Sequence, residues 1–127
     1  MAETELGKGI YISPKLFTET QEESQVIVHC HMDCTEFADA ARIWPSTFII
    51  DHTTGIRYPL VHVENITMYP DWTHIPEGSF LNFTLIFKGL PKSCTSFDLI
   101  EVIPQPGAFE CKNIPRNKDD VYFILFS

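Results

Sequence analysis

Phe80-Leu81-Asn82-Phe83-Thr84-Leu85-Ile86-Phe87 carries the reading of the fold. Leu81, Phe83, Leu85 and Phe87 recur at every second position, which is the period of a strand and not of a helix. Asn82 and Thr84 occupy the alternate positions, with Phe80 and Ile86 beside them. Such a segment buries one face. Gly89-Leu90-Pro91-Lys92 then turns the chain. Downstream, residues 97–103 and 109–114 read as strands, separated by the turn Pro104-Gln105-Pro106-Gly107. Residues 121–126 are apolar on both faces, which predicts a central strand or one covered on both sides.

Upstream the same texture continues. Val26, Val28, Cys30 and Met32 share one face of a strand, the more apolar and hence the core face; Ile27, His29 and His31 share the other. Residues 47–51 and 57–63 form a pair around the turn Asp51-His52-Thr53-Thr54-Gly55, with Pro59 marking an edge or a bulge. Ile10-Tyr11-Ile12 is a short β-like run. The one helix candidate is residues 33–44, where Asp33 and Glu36 resemble a capping box before Ala38, Ala40 and Ala41. It is short, so at most one helical turn near residues 35–43 is expected. Residues 64–78 read as a long loop. About eight short strands with regular turn signals predict an all-β, immunoglobulin-like sandwich of antiparallel strands.

Length and charge bound the function. With 127 residues the chain makes one domain, with residues 1–8 as a loose tail. Seventeen acidic against nine basic residues give a net charge of −8. That balance opposes binding to nucleic acid, which needs Lys and Arg on phosphates, and to anionic lipid. No stretch has the roughly 18 apolar residues of a membrane-spanning helix. The start, Met1-Ala2-Glu3-Thr4-Glu5, is not a signal peptide, so the chain is either cytoplasmic or a form from which a leader has been removed.

Four constellations invite chemistry. His29, His31 and Cys34 are candidate metal ligands, with His62 or Cys111 as a further donor. In a strand, however, Cys30 points away from the two histidines, and two ligands make a weak site. The structural reading is favoured, with no metal and no cofactor. Cys94 and Cys111 flank one strand and would bond if their Cα atoms approached to about 5.5 Å; free thiols are favoured. Asp98 and Glu101 are a carboxylate pair, but an offset of three sends them to opposite faces, against a glycosidase. Neither a P-loop nor a G-x-S-x-G elbow is present, so an enzyme is not expected. The Tyr69-Pro70-Asp71-Trp72-Thr73-His74 stretch holds the candidate binding residues Tyr69, Trp72 and His74. Exposed rings on a sandwich loop stack on sugars or fill a protein partner's pocket; the alternative is a lid, with Trp72 folded over the core.

Phe83-Thr84-Leu85-Ile86-Phe87-Lys88-Gly89-Leu90-Pro91-Lys92 followed by Ser96-Phe97-Asp98-Leu99-Ile100-Glu101 resembles a group of small β-sandwich domains in proteins of Bacteroidota. Phe48-Ile49-Ile50-Asp51, Thr54-Gly55-Ile56-Arg57-Tyr58-Pro59-Leu60 and Asn113-Ile114 fit the same pattern. The resemblance covers roughly residues 47–126. It implies a bacterial immunoglobulin-like domain of uncharacterised function, periplasmic or cell-surface where a leader has been removed. It brings no catalytic residues. The combined expectation is a non-catalytic binding or protein-interaction module with a protein or glycan partner. The runner-up is a metal-dependent or carbohydrate-binding function using the His29/His31 face or the Trp72 loop.

Overall fold

A computed structural model describes residues 24–33 and 39–126. Among them are nine strands and no helix: β1 (Val26–Asp33), β2 (Asp39–Ala41), β3 (Thr47–Asp51), β4 (Arg57–Glu64), β5 (Thr73–Ile75), β6 (Phe80–Phe87), β7 (Ser96–Glu101), β8 (Glu110–Pro115) and β9 (Val121–Phe126). The all-β expectation holds. The strand expected at residues 10–12 and the tail at 1–8 lie outside the described residues. So does most of the expected helical turn, and where it is described, at Asp39–Ala41, the chain is a strand. Local alanine content favoured helix there, but pairing with β5 decides the outcome (Asp39 opposite Ile75, Ala41 opposite Thr73).

Seven strands form one sheet in the order β9-β1-β6-β4-β3-β7-β8, and β2 and β5 form a separate ribbon. Neighbours are antiparallel except β9 and β1, which run parallel with Val121 opposite Ile27 and Phe126 opposite Met32. The expectation of purely antiparallel strands is corrected at that pair. The sheet is bent at β4. Its first residues pair with β3 (Pro59 opposite Phe48) and its last with β6 (Glu64 opposite Thr84), with a register shift between Leu60 and His62. Pro59 therefore marks a bulge inside the sheet and not an edge; a proline suits a strand that is changing partners.

The bend folds the two halves of the sheet towards one core. Leu81, Phe83, Leu85 and Phe87 are buried on β6, as their period requires, together with Val26, Val28 and Cys30 on β1 and Phe97 and Leu99 on β7. Val28 lies opposite Leu85. Phe48 does not join them: Ile49 points inward on β3, and half-buried Phe48 points out beneath the Arg57 guanidinium, 4.4 Å from the ring centroid. Across the core, Phe97 meets Tyr122 edge-on at 5.0 Å, and Phe109 touches both Phe83 and Phe126.

Strand β9 is the clearest departure. Among the described residues it is an end strand, and while Tyr122 is buried, Phe123 and Leu125 are each 80% exposed. An ionic corner fixes its entry. Asp120 sits at φ 56° and accepts from Arg116 Nε at 2.5 Å, Arg116 Nη2 at 2.9 Å and the Tyr122 hydroxyl at 2.9 Å. Arg116 Nη1 donates to the carbonyls of Pro91 and Cys94. The Tyr122 hydroxyl accepts the Asn117 N–H at 3.0 Å. Burial, and secondarily the bond to Asp120, pushes the Tyr122 phenol up to about 12.

Candidate functional site

The stretch read as a loop is closely built. The Ile43 N–H bonds the Thr67 carbonyl at 2.8 Å and the Tyr69 N–H bonds the Ile43 carbonyl at 2.7 Å, so residues 42–44 and 67–69 run side by side. Thr67 closes the loop by donating its hydroxyl to the Asp71 carbonyl and its backbone N–H to Thr73 Oγ1 at 2.9 Å. This frame stacks Trp44 on Tyr69 with centroids 3.9 Å apart.

Arg42 ties the rings together. Its guanidinium carbon lies 3.7 Å from the Trp72 ring centroid and 4.7 Å from that of Tyr69, and Nη1 donates to the Pro70 carbonyl at 2.8 Å. Its Nε is buried with no hydrogen-bond partner. Cation–π contacts of this kind contribute about 0.5–1 kcal/mol each at exposed sites. Trp72 nevertheless remains 56% exposed and Tyr69 43%. The indole lies against the Arg42 guanidinium with more than half of its surface in solvent, not packed over the core. His74 alternates to the exposed side of β5, opposite Ala40, and is not one of the rings around Arg42.

Beside the cluster lies a cleft of about 440 Å³, lined among others by Arg42, Trp44, Trp72, Glu101, Pro106 and Phe109. Glu101 is 4% exposed, and its two oxygens accept the backbone N–H groups of Trp44 and Phe109, each at 3.0 Å. Burial raises its carboxyl above the ordinary 4.5, against the downward pull of those bonds and of Arg42. Glu101 thus joins three segments into one wall. Sequence reasoning missed Arg42 and Trp44 and weighed Glu101 only as a catalyst. A signal was there: Arg42 is the sole Lys or Arg between Lys15 and Arg57, two residues before a tryptophan.

Asp98 and Glu101 do point to opposite faces. Asp98 belongs to another network: His52 Nδ1 lies 2.7 Å from Ser96 Oγ, and His52 Nε2 2.5 Å from Asp98 Oδ1. The sequence Ser–His–Asp is that of a hydrolytic triad, but the geometry assigns it a structural part. Asp98 Oδ1 also accepts the Asn113 N–H at 2.8 Å, where β7 and β8 slip register and Asn113 adopts φ 59°. Ser96 lies within strand β7, opposite Pro115. Hydrogen bonding from Asn113 and His52 outweighs burial and holds the Asp98 carboxyl below its ordinary value.

His29 and His31 do share one outer face. His29 Nδ1 pairs with Thr84 Oγ1 at 2.9 Å; His31 Nδ1 lies 2.6 Å from Asn82 Oδ1 and Nε2 lies 2.9 Å from Asp33 Oδ1. Both nitrogens of His31 and Nδ1 of His29 are thus engaged by neighbouring side chains. Cys34 lies outside the described residues, and no group of three or more potential ligands is found among the described ones. Cys30, Cys94 and Cys111 are free thiols. Among the described residues no helix is long and apolar enough to cross a membrane. Comparison with family models, curated proteins and solved structures finds no match to this chain.

Proposed function

We propose that this chain is an immunoglobulin-like sandwich domain acting as a non-catalytic protein-binding module, with its partner docked on Trp72 and the adjoining cleft. The observation that carries the reading is the half-exposed indole braced by Arg42 at the mouth of the cleft. Trp, Tyr and Arg are the residue types that dominate binding energy at interfaces, and here they form one preorganised surface. Two features support the immunoglobulin-like part. Two half-sheets share the bent strand β4, and Tyr122 bonds back to a backbone group five residues upstream, in the manner of a tyrosine corner. The sequence resemblance to domains of Bacteroidota supports it too, and with it an exported location.

A second reading, glycan binding, is favoured by one observation: an indole 56% in solvent offers a flat face to the C–H bonds of a sugar ring. Arrays of immobilised peptides and of oligosaccharides, probed with the full chain and with Trp72→Ala, test both. Binding to peptides that disappears in Trp72→Ala supports the proposal. Binding confined to oligosaccharides replaces it by the second reading, and binding untouched by Trp72→Ala overturns both.

A further inference from the structure

The cluster around Arg42 presents hydrogen-bond donors and few acceptors. Among the described residues no hydrogen bond uses the indole N–H of Trp44 or Trp72, or the hydroxyl of Tyr69. The buried polar atoms left without a partner there are Arg42 Nε and Asp51 Oδ2, so the Trp44 indole nitrogen, in a half-buried side chain, reaches solvent. Arg42 Nη2 reaches it too, since the guanidinium bonds the Pro70 carbonyl through Nη1. The acceptors nearby are already engaged. Each Glu101 oxygen takes one backbone N–H, and the carbonyls of Pro70 and Asp71 take Arg42 and the Thr67 hydroxyl. Gln105, which also lines the cleft, adds an amide with both a donor and an acceptor.

The rings that carry these donors are flat and apolar, and Pro106 and Phe109 continue the apolar lining of the same cleft. A ligand suited to this surface brings carbonyls without matching N–H groups. A helix spends its carbonyls on its own N–H groups. An extended strand brings a donor for every acceptor, and a sugar hydroxyl donates as well as accepts. A polyproline II segment has no internal hydrogen bonds, so every carbonyl is open, and each proline removes an N–H. Such segments dock on aromatic-lined grooves.

Building on the reading of this cleft as a protein-binding surface, we propose that the docked segment is a proline-rich stretch in the polyproline II conformation with Lys or Arg beside its prolines. The indole N–H groups of Trp44 and Trp72, which line one cleft, donate to its carbonyls, and its pyrrolidine rings lie on the indoles. Charge selects the flanks. The chain carries −8, and Asp71, exposed next to Trp72, is in no ion pair among the described residues. Both attract a basic flank and repel an acidic one. The segment holds its bound conformation before it docks, so little freedom is lost on binding.

A panel of decapeptides with Pro-x-x-Pro and Pro-Pro-x-Pro cores, flanked by Arg or by Glu, tests this by NMR on the isotope-labelled full chain. Each peptide is paired with a copy whose prolines are alanine. Arg-flanked proline peptides are expected to shift the Trp44 and Trp72 indole N–H resonances downfield in a saturable way. The alanine copies are expected to bind at least about tenfold more weakly, and the Glu-flanked peptides more weakly than the Arg-flanked ones. Trp72→Phe, which keeps an aromatic face and has no N–H, is expected to bind at least about threefold more weakly. Indole resonances that no peptide moves, alanine copies or Glu-flanked peptides that bind equally well, or an unchanged affinity in Trp72→Phe overturn the proposal. Its failure is distinct from that of the reading beneath it. A silent panel beside Trp72-dependent binding of other peptides on the arrays removes the proline-rich segment and leaves the protein-binding module. Peptide binding that survives Trp72→Ala removes both.

Discussion

Replacing Asp120 by Asn removes one charge from the corner before β9 while preserving its shape. Asn tolerates the positive φ of 56° at this position, so backbone strain does not confuse the result. The carboxylate accepts two N–H groups from Arg116 and the hydroxyl of Tyr122. In the variant the amide NH₂ faces a guanidinium donor or the phenol, and one bond becomes a repulsion. Net charge-assisted bonds contribute about 1.5–3 kcal/mol each, and breaking a buried ion pair costs about 3–5. The side chains here are 16% and 12% exposed, and Arg116 keeps the carbonyls of Pro91 and Cys94. The loss should therefore be about 2–4 kcal/mol, below the limit for full isolation. Urea melts followed by circular dichroism measure it; with m of about 1–3 kcal/mol/M the midpoint falls by about 1–2 M. Tyr122→Phe should cost about 1–2 kcal/mol, and the two changes together less than their sum, because they share a bond. Titration of the phenol, near 12 in the wild type, should move down in Asp120→Asn. A loss under about 0.5 kcal/mol, with additive behaviour in the double variant, would refute the corner as the device that fixes β9.

Phe83→Ala, at a residue 2% exposed, should cost about 3–5 kcal/mol, and a loss below about 1 would mean that the faces of β6 are misassigned. His31 should titrate above 6.5, raised by its bonds to Asn82 and then Asp33. A group raised in the folded state stabilises in full below its unfolded value and loses that contribution as pH rises through the folded one. NMR titration should show a lower value in Asn82→Ala; an equal one contradicts the bond. Burial, with a smaller contribution from Cys111, pushes the Cys30 thiol up to about 12. Alkylation mapped by mass spectrometry at pH 8 should spare Cys30 in the native protein and reach it in urea, and fast native labelling would contradict its burial.

What the sequence made legible is what period and offset control. The alternation in β6 fixed a buried face, and the offset of three separated Asp98 from Glu101. The three-residue strands β2 and β5 were hidden because so short a run shows no period, and Ala40 and Ala41 within β2 favour helix. Pro59 announced an irregularity, but an edge and a partner change look alike in one dimension. In β9 the double apolar face points to a central strand or one covered on both sides, whereas Phe123 and Leu125 stand 80% exposed. The candidate site was half legible. Tyr69 and Trp72 stood out as rings without alternation, whereas Arg42, Trp44 and Glu101 reach them only through tertiary pairing of distant segments.

If Trp72 docks a partner, its indole is open in the free protein and covered in the complex. Acrylamide quenching of the Trp44→Phe variant, whose one remaining tryptophan is Trp72, reads this directly, first alone and then with a ligand recovered from the arrays. The account predicts red-shifted, readily quenched emission from the free protein and protection when the ligand is bound. Blue-shifted, quencher-resistant emission from the free protein, or quenching unchanged by the ligand, would contradict it.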